Sequence, residues 1–163
     1  MALQGVDAVK KAIEAKRKEL NEGLKANYIM TMTSIVVGAH GGKGTPVHFK
    51  DGGTTRNNWF LSVGSPEYRT TVISAGKAGS SSMSQIAQMP TWVLGKKVYF
   101  TNSSPAILSL EYGGFPKSPK RGTYTGGGDD GYQILSTGGY SKQAPDGMVR
   151  VALRLMANRI KQL

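Results

Sequence analysis

The feature that most constrains the fold is a helical repeat of apolar residues at the start of the chain. Apolar side chains recur at steps of three or four residues, at Leu3, Val6, Val9, Ile13, Leu20, Leu24, Tyr28 and Met32. Such spacing places them on one face of an amphipathic α-helix. The pattern predicts a long helix from Leu3 to about Val37. Its last part, Ile29 to Val37, is rich in residues that prefer strands, which leaves an earlier end of the helix open.

Two shorter segments have the pattern of β-strands. From Trp59 to Val63, alternate residues are apolar, as in a strand with one face on the core. The following Gly64-Ser65-Pro66 is a turn signal, so Glu67 to Ile73 is the predicted partner strand of a hairpin. A further strand is predicted around Val98 to Phe100. Together these segments predict a small antiparallel sheet.

The chain is predicted to close with a second amphipathic helix. Helical spacing relates Val149, Ala152, Leu153, Met156, Ala157, Ile160 and Leu163. Pro145 is suited to the first helical position, and Asp146 complements the positive end of the helix. A strand from Val149 to Leu155 is a competing interpretation that matches fewer positions. A weak helical turn ended by Pro90 is also expected, around Met83 to Met89.

Glycine-rich segments separate these elements. Residues 38–53 and about 114–139 contain many of the 22 glycines and are predicted to be long flexible arms. At 163 residues the whole chain, 1–163, fits one domain. The predicted fold class is therefore α+β, with a long N-terminal helix, a small antiparallel β-sheet, a C-terminal helix and long glycine-rich loop insertions.

Charge and cysteine content limit the partners. The net charge of +11 and the isoelectric point of about 10.0 favour association with nucleic acid or with acidic protein surfaces. The chain has no cysteine, which excludes disulfides and cysteine zinc sites. It contains neither a secretory signal pattern nor an apolar run long enough to cross a bilayer, so we expect no membrane partner.

No residue pattern predicts a reaction centre. Gly38 to Lys43 resembles a phosphate-binding loop but is one residue short, and Gly44 stands where the hydroxyl residue is required. His40 and His48 lack a nucleophile motif around them. Glu111 has no second acid nearby and is expected to be a hydrogen-bonded structural residue. We therefore predict that the chain is not an enzyme, with no catalytic residues, no cofactor and no metal.

Three blocks in the sequence, taken in order, resemble a known family. They are Gly53 to Pro66 (GTTRNNWFLSVGSP), Thr101 to Gly113 (TNSSPAILSLEYG) and Tyr140 to Val151 (YSKQAPDGMVRV). They are similar to segments of the tail-completion or neck proteins of long-tailed phages, the head–tail joining or minor-tail family. The matching residues that we take as candidate interface or structural residues are Arg56, Asn57, Trp59, Asn102, Pro105, Glu111, Tyr112, Lys142, Gln143 and Arg150.

The resemblance implies a structural virion protein. Its expected role is a six-fold homo-oligomeric ring at the head-to-tail junction, which completes the tail and allows head–tail joining and DNA passage. The expected neighbours are neck or connector proteins and tail-tube or terminator proteins, with transient non-specific contact with genomic DNA. The expected location is the neck or tail of the virion, after assembly in the host cytoplasm. A tail terminator or a sheath-associated collar protein is an alternative within the same setting.

A non-specific nucleic-acid-binding protein is the alternative outside that setting. It is suggested by the positive charge and by four aromatic residues that could stack on bases, Tyr28, Trp59, Trp92 and Tyr99. For the two tryptophans, we favour the interpretation that they are core anchors. For Arg56, Asn57 and Asn58, a polar strand entry and an exposed interface corner are both open.

Overall fold

The computed structural model describes residues 3–37, 54–69, 79–104, 107–112, 123–124, 132–133 and 147–163. The elements in chain order are α1 (Leu3–Val37), α2 (Thr54–Asn57), β1 (Trp59–Val63), α3 (Ser80–Ala87), β2 (Val98–Asn102), α4 (Ile107–Tyr112), β3 (Thr123–Tyr124), β4 (Tyr132–Gln133) and α5 (Val149–Ile160). The α+β class is confirmed, with its long first helix, small antiparallel sheet and C-terminal helix.

Helix α1 is continuous to Val37, so its strand-favouring last part does not end it. The reason lies in packing, because Met32, Ile35 and Val36 are all buried there. Tertiary burial outweighs a helix propensity difference of a few tenths of a kcal/mol per residue. None of the helices in the described residues combines the length and the apolar character needed to cross a bilayer.

The core forms where the second half of α1 meets the sheet and the short helices. Its most deeply buried apolar residues include Val36, Trp59 and Val93. Partly buried side chains such as Phe100 pack against this cluster. The rings of Trp59 and Phe100 stack with centroids 5.0 Å apart. Trp59 is thus the core anchor that the sequence predicted.

The partner of β1 is β2, which corrects the predicted hairpin. The two strands pair antiparallel, with Trp59 opposite Asn102 and Val63 opposite Val98. Residues 67–69 are not in a strand, and the remainder of the proposed partner lies outside the described residues. The turn signal is real, since Gly64 has φ 91°. However, its N–H donates to the carbonyl of Lys97 at 2.9 Å, so the chain turns beside β2 rather than back onto β1.

Helix α5 lies along α1 and begins at Val149. The predicted start at Pro145 and Asp146 lies outside the described residues. Gly23 lies against the residue that follows α5, where a Cβ would come within 2.6 Å of the end of the Leu163 side chain. The predicted short helix before Pro90 is confirmed as α3.

The second predicted arm contains a small piece of regular structure. Strands β3 and β4 pair antiparallel, with Thr123 opposite Gln133 and Tyr124 opposite Tyr132. This strand pair was not predicted from the sequence. The rest of the arm, and the whole of the arm at 38–53 with both histidines, lie outside the described residues.

Candidate functional site

The entry to β1 is a buried polar corner. Asn57 and Asn58 are fully buried. The hydroxyl of Ser82 donates to the carbonyl of Arg56 at 2.7 Å and accepts the N–H of Trp59 at 3.0 Å. The Asn57 side-chain oxygen accepts the N–H of Ser81 at 3.2 Å. These bonds join the start of β1 to the start of α3, so the asparagines form an interior strand entry and not an exposed corner.

Asn102 closes the same corner from β2. Its amide donates to the carbonyl of Thr55 at 2.7 Å. Its side-chain oxygen accepts the backbone N–H of Ser104 at 2.9 Å and the Ser104 hydroxyl at 2.5 Å. The carbonyl of Ser104 then accepts the N–H of Ile107 at 3.0 Å, at the start of α4. Asn102 therefore couples α2, the end of β2 and the approach to α4.

Arg56 packs its aliphatic stem against Gly79, the residue before α3. A Cβ at Gly79 would come within 2.7 Å of Arg56 Cγ and 2.8 Å of Val36 Cγ1. Gly79 also has φ 73°, a backbone conformation that favours glycine. Burial lowers the pKa of the Arg56 guanidinium from its ordinary value. The stem of Arg56 thus belongs to the packing of the domain.

Glu111 joins α4 to the start of α5. Its carboxylate accepts the backbone N–H groups of Met148 at 2.9 Å, Val149 at 2.8 Å and Arg150 at 2.9 Å. The Arg150 Nε donates to the same carboxylate at 3.0 Å. Each carboxylate oxygen thereby accepts two hydrogen bonds, and three otherwise unpaired amides of a helix start are satisfied. Glu111 is the capping residue of α5, supplied from a distant part of the chain.

Gly147 permits this capping. Its φ is 77°, and a Cβ on it would come within 2.6 Å of the Glu111 carbonyl oxygen and 3.0 Å of its carboxyl carbon. Both the backbone conformation and the space exclude a side chain. Gly147 of the third sequence block is therefore required by the position of Glu111, which belongs to the second block.

The outer side of this junction is apolar and exposed. Leu108 and Tyr112 are 66% and 61% exposed and lie four residues apart, on one face of α4. The Arg150 guanidinium lies 5.3 Å from the centre of the Tyr112 ring. We call Leu108, Tyr112 and Arg150 the α4 surface. It combines apolar area with a cation that Glu111 holds in place.

Seven of the ten candidate residues thus fall into two clusters. The corner contains Arg56, Asn57, Trp59 and Asn102; the junction contains Glu111, Tyr112 and Arg150. The other three candidates, Pro105, Lys142 and Gln143, lie outside the described residues. Only Tyr112 and Arg150 among the seven are largely exposed, so most of the matched residues shape the fold and two remain accessible to a partner.

Two polar ties were missed by sequence reasoning. Asn21, buried on α1, donates to the carbonyl of Thr91 at 3.0 Å and accepts the N–H groups of Val93 at 2.7 Å and Leu94 at 3.0 Å. It holds the loop after α3 against α1. The only sequence signal for this contact was that Asn21 is an asparagine in a part of the helix rich in charged residues.

The second missed tie joins α1 to α5. The Arg159 guanidinium donates to the Asn27 side-chain oxygen and to the Thr31 hydroxyl, both at 2.8 Å. Asn27 and Thr31 are four residues apart and so share a face of α1. Arg159 was not considered in the sequence prediction, because nothing in the local pattern distinguishes it from the other basic residues of this helix.

Trp92 is an exposed aromatic residue, unlike Trp59. It is 36% exposed, and the Arg17 guanidinium lies 5.9 Å from the centre of its ring. The interpretation of Trp92 as a core anchor is therefore wrong. Trp92 lies instead beside the exposed half of α1, where a cation–π contact is available to stabilise it.

The described residues contain no group of three His, Asp or Glu side chains placed to hold a metal ion. The chemistry of the two clusters is hydrogen bonding and packing. Both Glu111 oxygens accept hydrogen bonds from the start of α5. None of the protein-family models, curated proteins and solved structures compared with the chain matches it.

Proposed function

We propose that the chain is a structural protein of a phage neck, forming a ring that completes the tail and allows the head to join it. The observation that carries the proposal is the way the three resembling blocks meet. The first block contains β1, which pairs through Trp59 and Phe60 with Asn102 and Thr101 of the second block. The second block also supplies Glu111 to cap the helix that begins in the third. Segments far apart in sequence thus support one another in a fold, as shape-determining residues do.

The proposed subunit contact is the α4 surface. Exposed apolar side chains rimmed by polar groups mark protein interaction sites more often than isolated exposed residues do. Leu108 and Tyr112 supply adjacent apolar area, and tyrosine and arginine are the residue types that contribute most at interface centres. Ring assembly needs a patch on one subunit that fits a different patch on the next. The α4 surface is our candidate for one of the two patches.

The location of the chain tests the proposal most directly. Antibody labelling of particles from the cells that encode the chain should place it where head and tail meet. When its gene is disrupted, filled heads and separate tails should accumulate. A normal yield of joined particles without the chain would overturn the proposal, as would recovery of the chain only away from particles.

The subunit contact needs its own test. The double variant Leu108→Glu/Tyr112→Glu should lower the mass of the assembled form, measured by sedimentation or native mass spectrometry, and should leave the helical circular dichroism unchanged. Tyr68→Glu is the matched control, because Tyr68 is an 80% exposed aromatic residue that is not part of α4. Equal loss of assembly in both variants would rule out the α4 surface as the contact.

A salt titration separates the ring protein from the nucleic-acid-binding alternative. The exposed Trp92 beside Arg17 is the feature that favours the alternative. A ring protein that lets DNA pass should bind duplex weakly and without sequence preference, and this binding should vanish as salt rises. Tight or sequence-selective binding that survives moderate salt would instead favour a nucleic-acid-binding protein.

A further inference from the structure

The first half of α1 is exposed on every side, and its contact with the rest of the fold that we describe is that of the Arg17 guanidinium with the Trp92 ring, 5.9 Å away. Residues 5–19 are all exposed, and burial begins only at Leu20 and Asn21. With a rise of 1.5 Å per residue, the segment from Leu3 to Glu19 extends about 25 Å beyond the packed half of the helix. We call residues 5–19 the α1 arm. Its helix is continuous with a buried one, which supplies the nucleus that an isolated helix of this length would lack.

The arm carries an apolar seam on one face. Val6, Val9 and Ile13 are 48%, 58% and 54% exposed. Their spacing of three and then four residues is that of consecutive a, d and a positions of a heptad repeat. The next a position is Leu20, where burial begins. An exposed seam that continues into the core is suited to a second helix packing alongside it.

The charges beside the seam are mostly positive. In this heptad frame Lys10 and Arg17 occupy e positions, next to the seam, while Lys16 takes a d position. The one acidic residue beside the seam is Glu19, a g position, which pairs with Lys16 at 2.8 Å. Asp7 and Glu14 are b positions, farther from the seam than the e positions. In coiled coils the e and g residues choose the partner, so this seam selects a helix with acidic flanking residues.

A second copy of the chain is a poor partner by the same reasoning. In a parallel copy the g residues that meet Lys10 and Arg17 are Gly5 and Ala12, which carry no charge, and the third g residue, Glu19, meets Leu24. An antiparallel copy would place e positions opposite one another and bring these cations together.

We infer that the α1 arm is a docking helix for an acidic amphipathic helix of a different protein. The aliphatic seam fits its apolar face, and Lys10 and Arg17 pair with carboxylates beside that face. The seam has β-branched residues and no aromatic side chain, which suits helix pairing better than insertion at a lipid surface, where Trp, Phe and Leu are typical. This inference stands on the arm alone and holds whether or not the chain is a virion protein.

A synthetic peptide can stand in for the partner. The probe is a fluorescent peptide of about three heptads with Ile at a, Leu at d and Glu at e and g. Anisotropy titrations with the full chain should give a dissociation constant on the order of tens of micromolar, as expected for a short seam. A scrambled peptide of the same composition, and one with Lys at e and g, should not bind.

Charge-reversed variants locate the contact. Lys10→Glu/Arg17→Glu should weaken peptide binding by about tenfold or more, because it places like charges beside the seam. Lys11→Glu/Lys18→Glu is the control: it changes the net charge equally, has the same seven-residue spacing and lies away from the seam. It should change the affinity by no more than about threefold. Val9→Gln/Ile13→Gln should remove binding while the circular dichroism stays helical.

Several results would overturn the inference. One is equal loss of affinity in the two charge-reversed variants; another is binding that survives the Gln variant or does not distinguish the scrambled peptide. Failure of the wild-type chain to bind the acidic peptide at hundreds of micromolar would also refute it. Tighter binding of phosphatidylglycerol vesicles or duplex DNA through the same residues would show that the arm binds a membrane or DNA instead. Dimerisation that depends on Val9 and Ile13 would show that the partner is a second copy of the chain.

Discussion

Glu111 and Arg150 meet at three points. The backbone N–H and the Nε of Arg150 both donate to the Glu111 carboxylate, at 2.9 and 3.0 Å, and its Nη2 donates to the Glu111 carbonyl at 2.5 Å. The Glu111 side chain is 8% exposed, whereas that of Arg150 is 45% exposed. The pair therefore fixes the first turn of α5 from inside and presents a guanidinium beside Tyr112 on the outside.

Glu111→Gln should destabilise the protein by about 2–4 kcal/mol. The amide can replace one oxygen but turns an NH₂ group toward backbone donors, and it removes the charge that Arg150 and the helix start both favour. Urea denaturation would measure the change. Glu67→Gln is the control, since Glu67 pairs with Arg69 at 2.9 Å on the surface and should cost less than about 1 kcal/mol. Similar losses in the two variants would contradict the capping role.

Gly147→Ala should cost more than the same change at Gly95. Both glycines have φ 77°, so alanine meets the same backbone penalty of about 1–2 kcal/mol at each position. At Gly95 a Cβ meets nothing within 4 Å, whereas at Gly147 it would lie 2.6 Å from the Glu111 carbonyl oxygen. The additional loss at Gly147 should exceed about 1 kcal/mol, because backbone must move to relieve the contact. Equal melting temperatures for the two variants would show that Glu111 does not crowd this site.

Asn21→Leu should destabilise the protein by about 2–4 kcal/mol although it adds apolar volume. It leaves the carbonyl of Thr91 and the N–H groups of Val93 and Leu94 without their side-chain partner in a buried place. Glu22→Leu is the matched control, because Glu22 is the next residue of α1 and is exposed. It should change stability by less than about 0.5 kcal/mol. Thermal unfolding of both variants decides the point, and a neutral Asn21→Leu would refute the tie.

The sequence predicted the features that depend on neighbouring residues and not those that depend on distant ones. Apolar periodicity is a local signal, so it correctly predicted α1, the strand at Trp59 and the C-terminal helix. Strand pairing is not local: a turn at Gly64 suggested the next segment as the partner of β1, while burial of Trp59 against Phe100 selects β2. Packing likewise keeps α1 helical through its last part, Ile29 to Val37, which is rich in β-branched residues.

The same distinction holds for the candidate site. Glu111 was expected to be a structural hydrogen-bonded residue because it lacked a second acid, and it is one. Its partners, however, are backbone amides 37 to 39 residues away, which carry no sequence pattern. Asn21 bonds to groups 70 to 73 residues away and was missed for this reason. The Asn57 and Asn58 alternatives could be resolved only by burial.

Hydrogen exchange should divide α1 into two parts. The amides of residues 7–19 have helical hydrogen bonds, but the side chains of residues 5–19 are exposed, so opening the arm breaks no core packing. They should exchange through local openings of about 0–2 kcal/mol. The amides near Met32, Ile35 and Val36 are buried in the core and should approach the protection of global unfolding. Mass spectrometry of peptic peptides from the two halves of the helix measures both.

Two variants make this division decisive. Val36→Ala should lower the protection of the buried half by about 1–3 kcal/mol and leave the arm unchanged, because the arm already opens independently of the core. Val9→Ala, the equivalent change in the arm, should leave the buried half unchanged, since no core contact is lost. If the arm and the buried half exchanged at the same rate in the wild-type chain, or if Val9→Ala lowered the protection around Val36, the arm would be part of the cooperative core and would not be an exposed helix available to a partner.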